Sequence, residues 1–124
     1  MCADEIFGGY PWYHREEILF EDTFPWSRSV DLRKSILQPD VLKGDSAEYV
    51  RAEYLRTLQD TEKLSGESKK EARMREMFRL NTDWFMQTLL THKDRMSMYS
   101  GVEMRVPFCD HRLVEYAYKS CRGS

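Results

Sequence analysis

The residue types that could do chemistry sit near the two ends of the chain. Asp4 and Glu5 are adjacent and lie just ahead of Gly8-Gly9. Two carboxylates beside a flexible turn could hold magnesium, which takes one or two carboxylates and fills its shell with water and phosphate oxygens. The same acids also fit the first turn of a short helix, where negative charge complements the helix dipole. The glycine pair alone is weak ground for a phosphate cradle, because a P-loop needs GxxxxGK[ST] and a dinucleotide turn needs GxGxxG. A helix terminator with close backbone packing explains it better.

Towards the other end, Glu103 and Arg105 stand two apart in GVEMRVPF. On extended or turning backbone, side chains two apart point the same way. They could position a carboxylate substrate or line a channel, since arginine offers a rigid fork of donors. Equally, they could form a buried structural ion pair that holds the loop against its neighbours. Asp94-Arg95 with Met96 and Met98 could be a nucleotide contact and an apolar lining, but an exposed ion pair and core methionines explain them more simply. Cys109-Asp110-His111 is not a nucleophilic triad, because triads converge in space and three consecutive residues rarely do. Asp110 reads instead as a helix cap. His14, His92 and His111 are too dispersed for HExxH or a zinc set. Cys2, Cys109 and Cys121 are odd in number and contain no CxxC, so neither a disulfide framework nor a zinc site is indicated, and a reducing cytoplasm fits.

The elements that must position these residues read as helices. Isoleucine and valine are too scarce and scattered for strands. Gly8-Gly9 limits the helix after Asp4 to one or two turns. Ser27 is placed to cap a helix running to about Leu37, ended by Gln38-Pro39-Asp40. Asp45 with Glu48 resembles a capping box, and Ala47, Val50, Tyr54 and Leu58 recur behind it at helical spacing. Lys63 to Ser68 is a polar break, the best candidate for a mobile loop. Ser68 with Glu71 forms another capping box and opens the longest helix, whose apolar face carries Met74, Met77, Phe78, Trp84, Phe85 and Leu89 towards Lys93. Its charged side suggests i,i+4 pairs such as Glu71 with Arg75. Gly101 breaks the pattern, Val106-Pro107-Phe108 reads as extended, and Asp110 opens a last helix with Leu113, Val114 and Ala117 inward. The sum is a mainly α chain of about five helices. A parallel sheet of βαβ units is not visible.

Bulk properties exclude several classes. The chain has 124 residues, a net charge of −2, 32% charged and 41% hydrophobic residues, which fits a soluble globular domain or a piece of one. There is no basic footprint for nucleic acid and no polybasic membrane signal. No apolar run approaches the roughly 18 residues that span a bilayer. The first residues, MCADEIFGG, lack the basic n-region of a secretory signal.

Two segments together carry a family resemblance. Asp94 to Glu115, DRMSMYSGVEMRVPFCDHRLVE, resembles the C-terminal synthetase domain of glutamine-dependent asparagine synthetases, and Ala3 to Tyr13, ADEIFGGYPWY, resembles a second signature of that family. The family's first signature reads roughly G-E-G-A-D-E-[IL]-F-G-G-Y. Its Asp lies near the magnesium and pyrophosphate of bound ATP, and Asp4 occupies that position. The second reads G-[VL]-E-x-R-x-P-F-L-D-H and packs near the route along which ammonia reaches the synthetase site. This implies that Glu5, Glu103, Arg105 and Val106 are neighbours of the substrate and ammonia route, not catalysts.

The resemblance implies that the chain, residues 1–124, is the helical C-terminal subregion of an α/β adenine-nucleotide α-hydrolase-like synthetase domain whose parallel sheet is missing. The parent would be a cytoplasmic magnesium- and ATP-dependent ligase of asparagine biosynthesis and a glutamine amidotransferase. It would adenylate the aspartate side chain and transfer glutamine-derived ammonia, giving asparagine, AMP and pyrophosphate.

Departures from the pattern carry their own expectations. The family's Glu three residues before the Asp falls at Met1, a start residue standing in for a native Glu. Cys2 replaces the usual Gly, and Cys109 stands where Leu is commoner. The family's SGGxDS pyrophosphate loop does not occur, and neither does the glutaminase nucleophile. The chain alone is therefore expected to be inactive and to bind no ATP or magnesium, and to dimerise or aggregate through an apolar face that the missing nucleotide-binding sheet would cover. Two other readings stand beside this one. One is a β-lactam synthetase-like or other carboxylate-adenylating enzyme, including the related proteins of exopolysaccharide clusters. The other is a non-catalytic helical interaction module.

Overall fold

The computed structural model describes residues 2–38, 40–41 and 43–120. Among these, the chain is helical with no strand, as the scarcity of β-branched runs implies. Four short helices come first: α1 (Ala3–Phe7), α2 (Pro11–His14), α3 (Glu16–Leu19) and α4 (Val30–Lys34). Four longer ones follow: α5 (Ser46–Gln59), α6 (Lys69–Leu80), α7 (Gln87–Tyr99) and α8 (His111–Ser120). The longer helices and the first turns match the coarse expectation from periodicity.

The local signals act where the side chains can reach an orphan amide. Ser68 and Glu71 close a full capping box at α6, with Glu71 Oε2 accepting from the Ser68 amide at 2.7 Å and Ser68 Oγ from the Glu71 amide at 3.3 Å. That use of Glu71 leaves Arg75 to another partner. Arg75 pairs with Glu67 instead of forming the expected i,i+4 pair, and both side chains are largely buried. This pair also anchors the Lys63–Ser68 break, where Glu67 accepts the Leu64 amide at 3.1 Å. Asp45 caps α5 through the Ala47 amide at 2.9 Å. The helix expected from Ser27 is shorter and starts later. Ser29 is its cap, while Ser27 is buried and accepts from Arg33 Nη1 at 2.7 Å. Ser27 is thus spent on a side-chain contact, not on a helix terminus. The expected stop at Pro39 lies outside the described residues.

The longest helical run exceeds its expected end at Lys93. Between α6 and α7 lies a π-helical segment, Asn81–Met86, so the chain is helical from Lys69 to Tyr99. Asn81 Nδ2 and Thr82 Oγ1 donate to the carbonyls of Met77 and Phe78 at 2.9 and 2.8 Å. Trp84 Nε1 donates to Thr57 Oγ1 of α5 at 2.9 Å, which fixes the two helices in register.

Two apolar clusters hold the elements together. Tyr13, Leu19, Phe24, Tyr54, Met77 and Leu80 form the larger one, and full burial of each such side chain contributes roughly 1.5–3 kcal/mol. Ile6, Phe78 and Ala117 form the second, covered by Leu113, Val114 and Tyr118. Met77 and Phe78 are neighbours on α6, so one helix supplies both clusters. The second cluster packs the N-terminal helix against the C-terminal one.

Beside the larger cluster, Arg73 is 8% exposed and its guanidinium donates to backbone carbonyls of Leu19 and Glu21, to the Tyr54 hydroxyl and to Glu76. It ties the α3 exit to α5 and α6.

Candidate functional site

The Asp4–Glu5 corner is built on α1. Its N-cap, Cys2, has φ 70 and its carbonyl accepts the Ile6 amide at 3.2 Å. Both acids fall in the first turn, where they suit the helix dipole. Gly8, with φ 71, ends the helix by donating back to the Asp4 carbonyl, and Gly9 donates to the same oxygen at 3.1 Å. A Cβ built on Gly9 would overlap the Asp4 carboxylate, with Cγ only 3.0 Å away. The glycine pair is therefore a helix terminator with close packing, as its sequence suggests. Gly9 leaves the space that the Asp4 side chain fills.

The two carboxylates point to different environments. Asp4 is exposed, and its carboxylate makes no hydrogen bond or ion pair among the described residues. Glu5 is 1% exposed, and its Oε1 accepts from the Tyr10 hydroxyl at 2.7 Å. Glu5 Oε2 has no hydrogen-bond partner among the described residues. Tyr10 is held in place by stacking on Trp12, with centroids 4.3 Å apart, and by the edge of Phe85 at 5.4 Å. Burial raises the Tyr10 phenol above its usual range, and the hydrogen bond to Glu5 and the Glu5 and Asp4 charges push the same way. Glu5 is thus buried against Tyr10 while Asp4 faces solvent. Among the described residues no group of three or more His, Cys, Asp or Glu is placed to hold a metal.

The second signature leaves α7 at Gly101, whose φ of 71 turns the chain. Glu103 and Arg105 do pair, with Nε 3.3 Å from Oε1, but their side chains are 70% and 84% exposed. The expected buried ion pair is therefore a solvated one, of little stabilising value. The loop is too far out of the core to desolvate it. Val106 is half-buried, and its carbonyl accepts the Cys109 amide at 2.9 Å. Pro107–Cys109 form a 3₁₀ turn, not extended chain, because Pro107 takes the first helical position, where no amide is needed. Asp110 caps α8 as expected. Its Oδ1 accepts the Arg112 amide at 2.9 Å, and the Arg112 side chain forks onto it at 3.0 and 2.7 Å. The hydrogen bonds from Arg112 hold the Asp110 carboxyl well below the usual carboxylate range.

One expectation from cysteine arithmetic is overturned. Cys2 and Cys109 are disulfide-bonded, with Cα atoms 5.7 Å apart and a sequence separation of 107. Counting and spacing missed it because the two residues meet only when α1 packs on α8 through Ile6 and Ala117. A signal was present: both cysteines stand where the family pattern has other residues. Tyr10 was also missed as a partner of Glu5, since its five-residue spacing spans a helix end and a turn. Cys121 lies outside the described residues.

The structure thus brings the Asp4–Glu5 helix against the helix capped by Asp110. No hydrogen bond or ion pair joins Glu103 or Arg105 to either acid among the described residues. Arg95 and Met96 line an open groove of about 570 Å³ together with Asp83 and His92. No residue of α1 or of the Glu103–Val106 loop enters it, and no Asp94–Arg95 ion pair forms among the described residues. Met96 and Met98 are exposed, not core. No helix among the described residues is long and apolar enough to cross a membrane.

The family model described as asparagine synthase matches residues 1–120. The chain is 50% identical over 118 residues to a protein of Bacillus subtilis (strain 168) described as asparagine synthetase [glutamine-hydrolyzing] 3. That match covers 94% of this chain and 19% of the relative, so the chain spans about a fifth of the relative's length.

Proposed function

The chain belongs to the asparagine synthase family, and from that premise we propose that it supplies the helical part of the synthetase domain of a glutamine-hydrolysing asparagine synthetase. The parent enzyme would use ATP to adenylate the side chain of aspartate and transfer ammonia from glutamine to it, leaving asparagine, AMP and pyrophosphate. Its cytoplasmic location, its ATP and magnesium requirement and its lack of nucleic-acid or membrane partners belong to the same reading.

The observation that supports this best is the division of labour between two adjacent acids. Asp4 offers one exposed, unpaired carboxylate at a glycine turn that has no room for a side chain. Glu5 is withdrawn into the core and held by Tyr10. A bound magnesium ion would offset the charge of the pyrophosphate leaving group. In this reading Asp4 supplies a ligand to it. Glu5 and Tyr10 set the direction of α1, and Gly9 keeps the approach open. Glu103, Arg105 and Val106 lie on the loop that would border the ammonia route, where an exposed Glu–Arg pair can meet a neighbouring domain.

The chain contains no SGGxDS string, so phosphate recognition would come from the rest of the parent, along with the parallel sheet and the glutaminase domain. The chain alone would then be inactive. Isothermal titration with Mg-ATP tests this, using Asp4→Asn as the control. The expected result is no binding by either protein. Binding that disappears in Asp4→Asn would make this corner a self-sufficient nucleotide site and overturn the division of labour proposed here.

A further inference from the structure

We propose that Cys2 and Cys109 form a reversible thiol–disulfide modification site that clasps the Asp4–Glu5 helix to the Val106–Asp110 turn. Their Cα separation of 5.7 Å lies within the span that a disulfide bridges. Cys2 has φ 70, a backbone region where a side chain is costly and glycine is favoured. The family pattern has Gly at this position and commonly Leu at the position of Cys109. The two departures from that pattern are thus the two ends of one contact. A cysteine kept in a glycine conformation is explained by the bond its sulfur makes.

The placement gives the bond something to control. Cys2 is the N-cap of α1, two residues ahead of Asp4. Cys109 ends the turn whose first carbonyl belongs to Val106 and directly precedes the Asp110 cap. The clasp therefore joins the corner read as nucleotide-facing to the loop read as ammonia-facing. This consequence rests on the proposed function, whereas the bond itself does not.

Access to the two sulfurs is unequal. Cys2 is fully buried and Cys109 is half-buried. Exchange would enter at Cys109. Its thiolate attacks a low-molecular-weight disulfide, releases one thiol and forms a mixed disulfide. The Cys2 thiolate then attacks the Cys109 sulfur and releases the second thiol. Two protein thiols and one small disulfide become one protein disulfide and two small thiols. Reduction runs the same steps backwards.

The test uses the purified chain, equilibrated with oxidised glutathione or with dithiothreitol, alkylated and digested with trypsin. The expected result is a linked pair of peptides, Met1–Arg15 with Val106–Arg112, in the oxidised sample only. Reduction should lower the thermal midpoint by on the order of 10 °C, because the closed loop is long. Cys121→Ser should retain both effects, and Cys109→Ser should lose the redox dependence. If Cys109→Ser does not fold, the peptide result on the wild type and Cys121→Ser decides. Alkylation of both Cys2 and Cys109 after oxidation, a stable mixed disulfide with glutathione, or pairing with Cys121 would overturn the proposal. So would a linked pair that dithiothreitol cannot open. None of these readouts involves nucleotide, so a failure of the clasp is distinguishable from a failure of the Asp4 reading.

Discussion

The Tyr10 hydroxyl donates to Glu5 Oε1 at 2.7 Å, across the glycine turn that ends α1. The bond satisfies one oxygen of a carboxylate that is almost wholly buried, and the other has no partner among the described residues. Tyr10→Phe keeps the ring stacked on Trp12 but removes the donor. A buried acceptor left without its partner costs about 1–3 kcal/mol. Urea denaturation should show a loss of that size, and no loss would mean that Glu5 is satisfied in another way.

The same contact sets an alkaline limit. Burial, with Glu5 behind it, raises the Tyr10 phenol above its ordinary value of 10.0. A group whose value is raised on folding contributes stability that is full below its unfolded value and fades as pH climbs above it. Wild-type stability should therefore fall from about pH 10 upward. Tyr10→Phe should fall less steeply over the same range, with Tyr54, also raised by burial, accounting for part of the remaining slope. Parallel curves for the two proteins would remove Tyr10 from the account.

Arg73 offers a sharper stability probe. Arg73→Met removes the donor to Leu19, Glu21, Tyr54 and Glu76 at once, including the buried bond to the Leu19 carbonyl. Breaking a buried charged network in this way costs on the order of 3–5 kcal/mol. Met77→Ala, at a fully buried core position, should cost about 2–5 kcal/mol. Circular dichroism melts of both should show whether Arg73 matters as much as a core side chain.

How much of this was legible in the sequence follows from the range of each signal. The Ser68–Glu71 box, the Asp45 and Asp110 caps and the stop at Gly101 are contacts within a few residues, and each acts as its sequence suggests. Arg75 and Ser27 went elsewhere because each had a competing partner, Glu67 and Arg33, that only the folded chain presents. The exposed Glu103–Arg105 pair has the same origin, since two residues can be read as paired while their burial depends on the whole fold. At the candidate site, the proposed role of Asp4 rests on its position in a signature. The burial of Glu5 was not legible, because it depends on Tyr10 and Trp12 meeting Phe85 from far along the chain. The Cys2–Cys109 bond depends on the packing of the two ends and is the least local feature of all.

An apolar surface remains on the α7 end of the molecule. Met96, Met98, Tyr99, Val102, Met104 and Phe108 are all exposed, with Tyr99 at 93%. Such a surface is expected to find a partner, and in the proposed parent it would face the missing sheet or the glutaminase domain. Sedimentation of the chain alone should show a mass that rises with concentration. A monomer mass independent of concentration would mean that the surface tolerates water.

Grafting tests whether this chain serves as the helical part of an aspartate-adenylating domain with Asp4 on the nucleotide side. The matching segment of the 50% identical Bacillus subtilis protein is replaced by this chain, and the hybrid is assayed for aspartate-dependent exchange of pyrophosphate into ATP. Its glutamine hydrolysis serves as the folding control. The account predicts exchange by the hybrid and a drop of about 100-fold or more in the hybrid carrying Asp4→Asn, which is roughly 3 kcal/mol of lost stabilisation. A hybrid that hydrolyses glutamine but exchanges no pyrophosphate, or one whose exchange ignores Asp4→Asn, would contradict it.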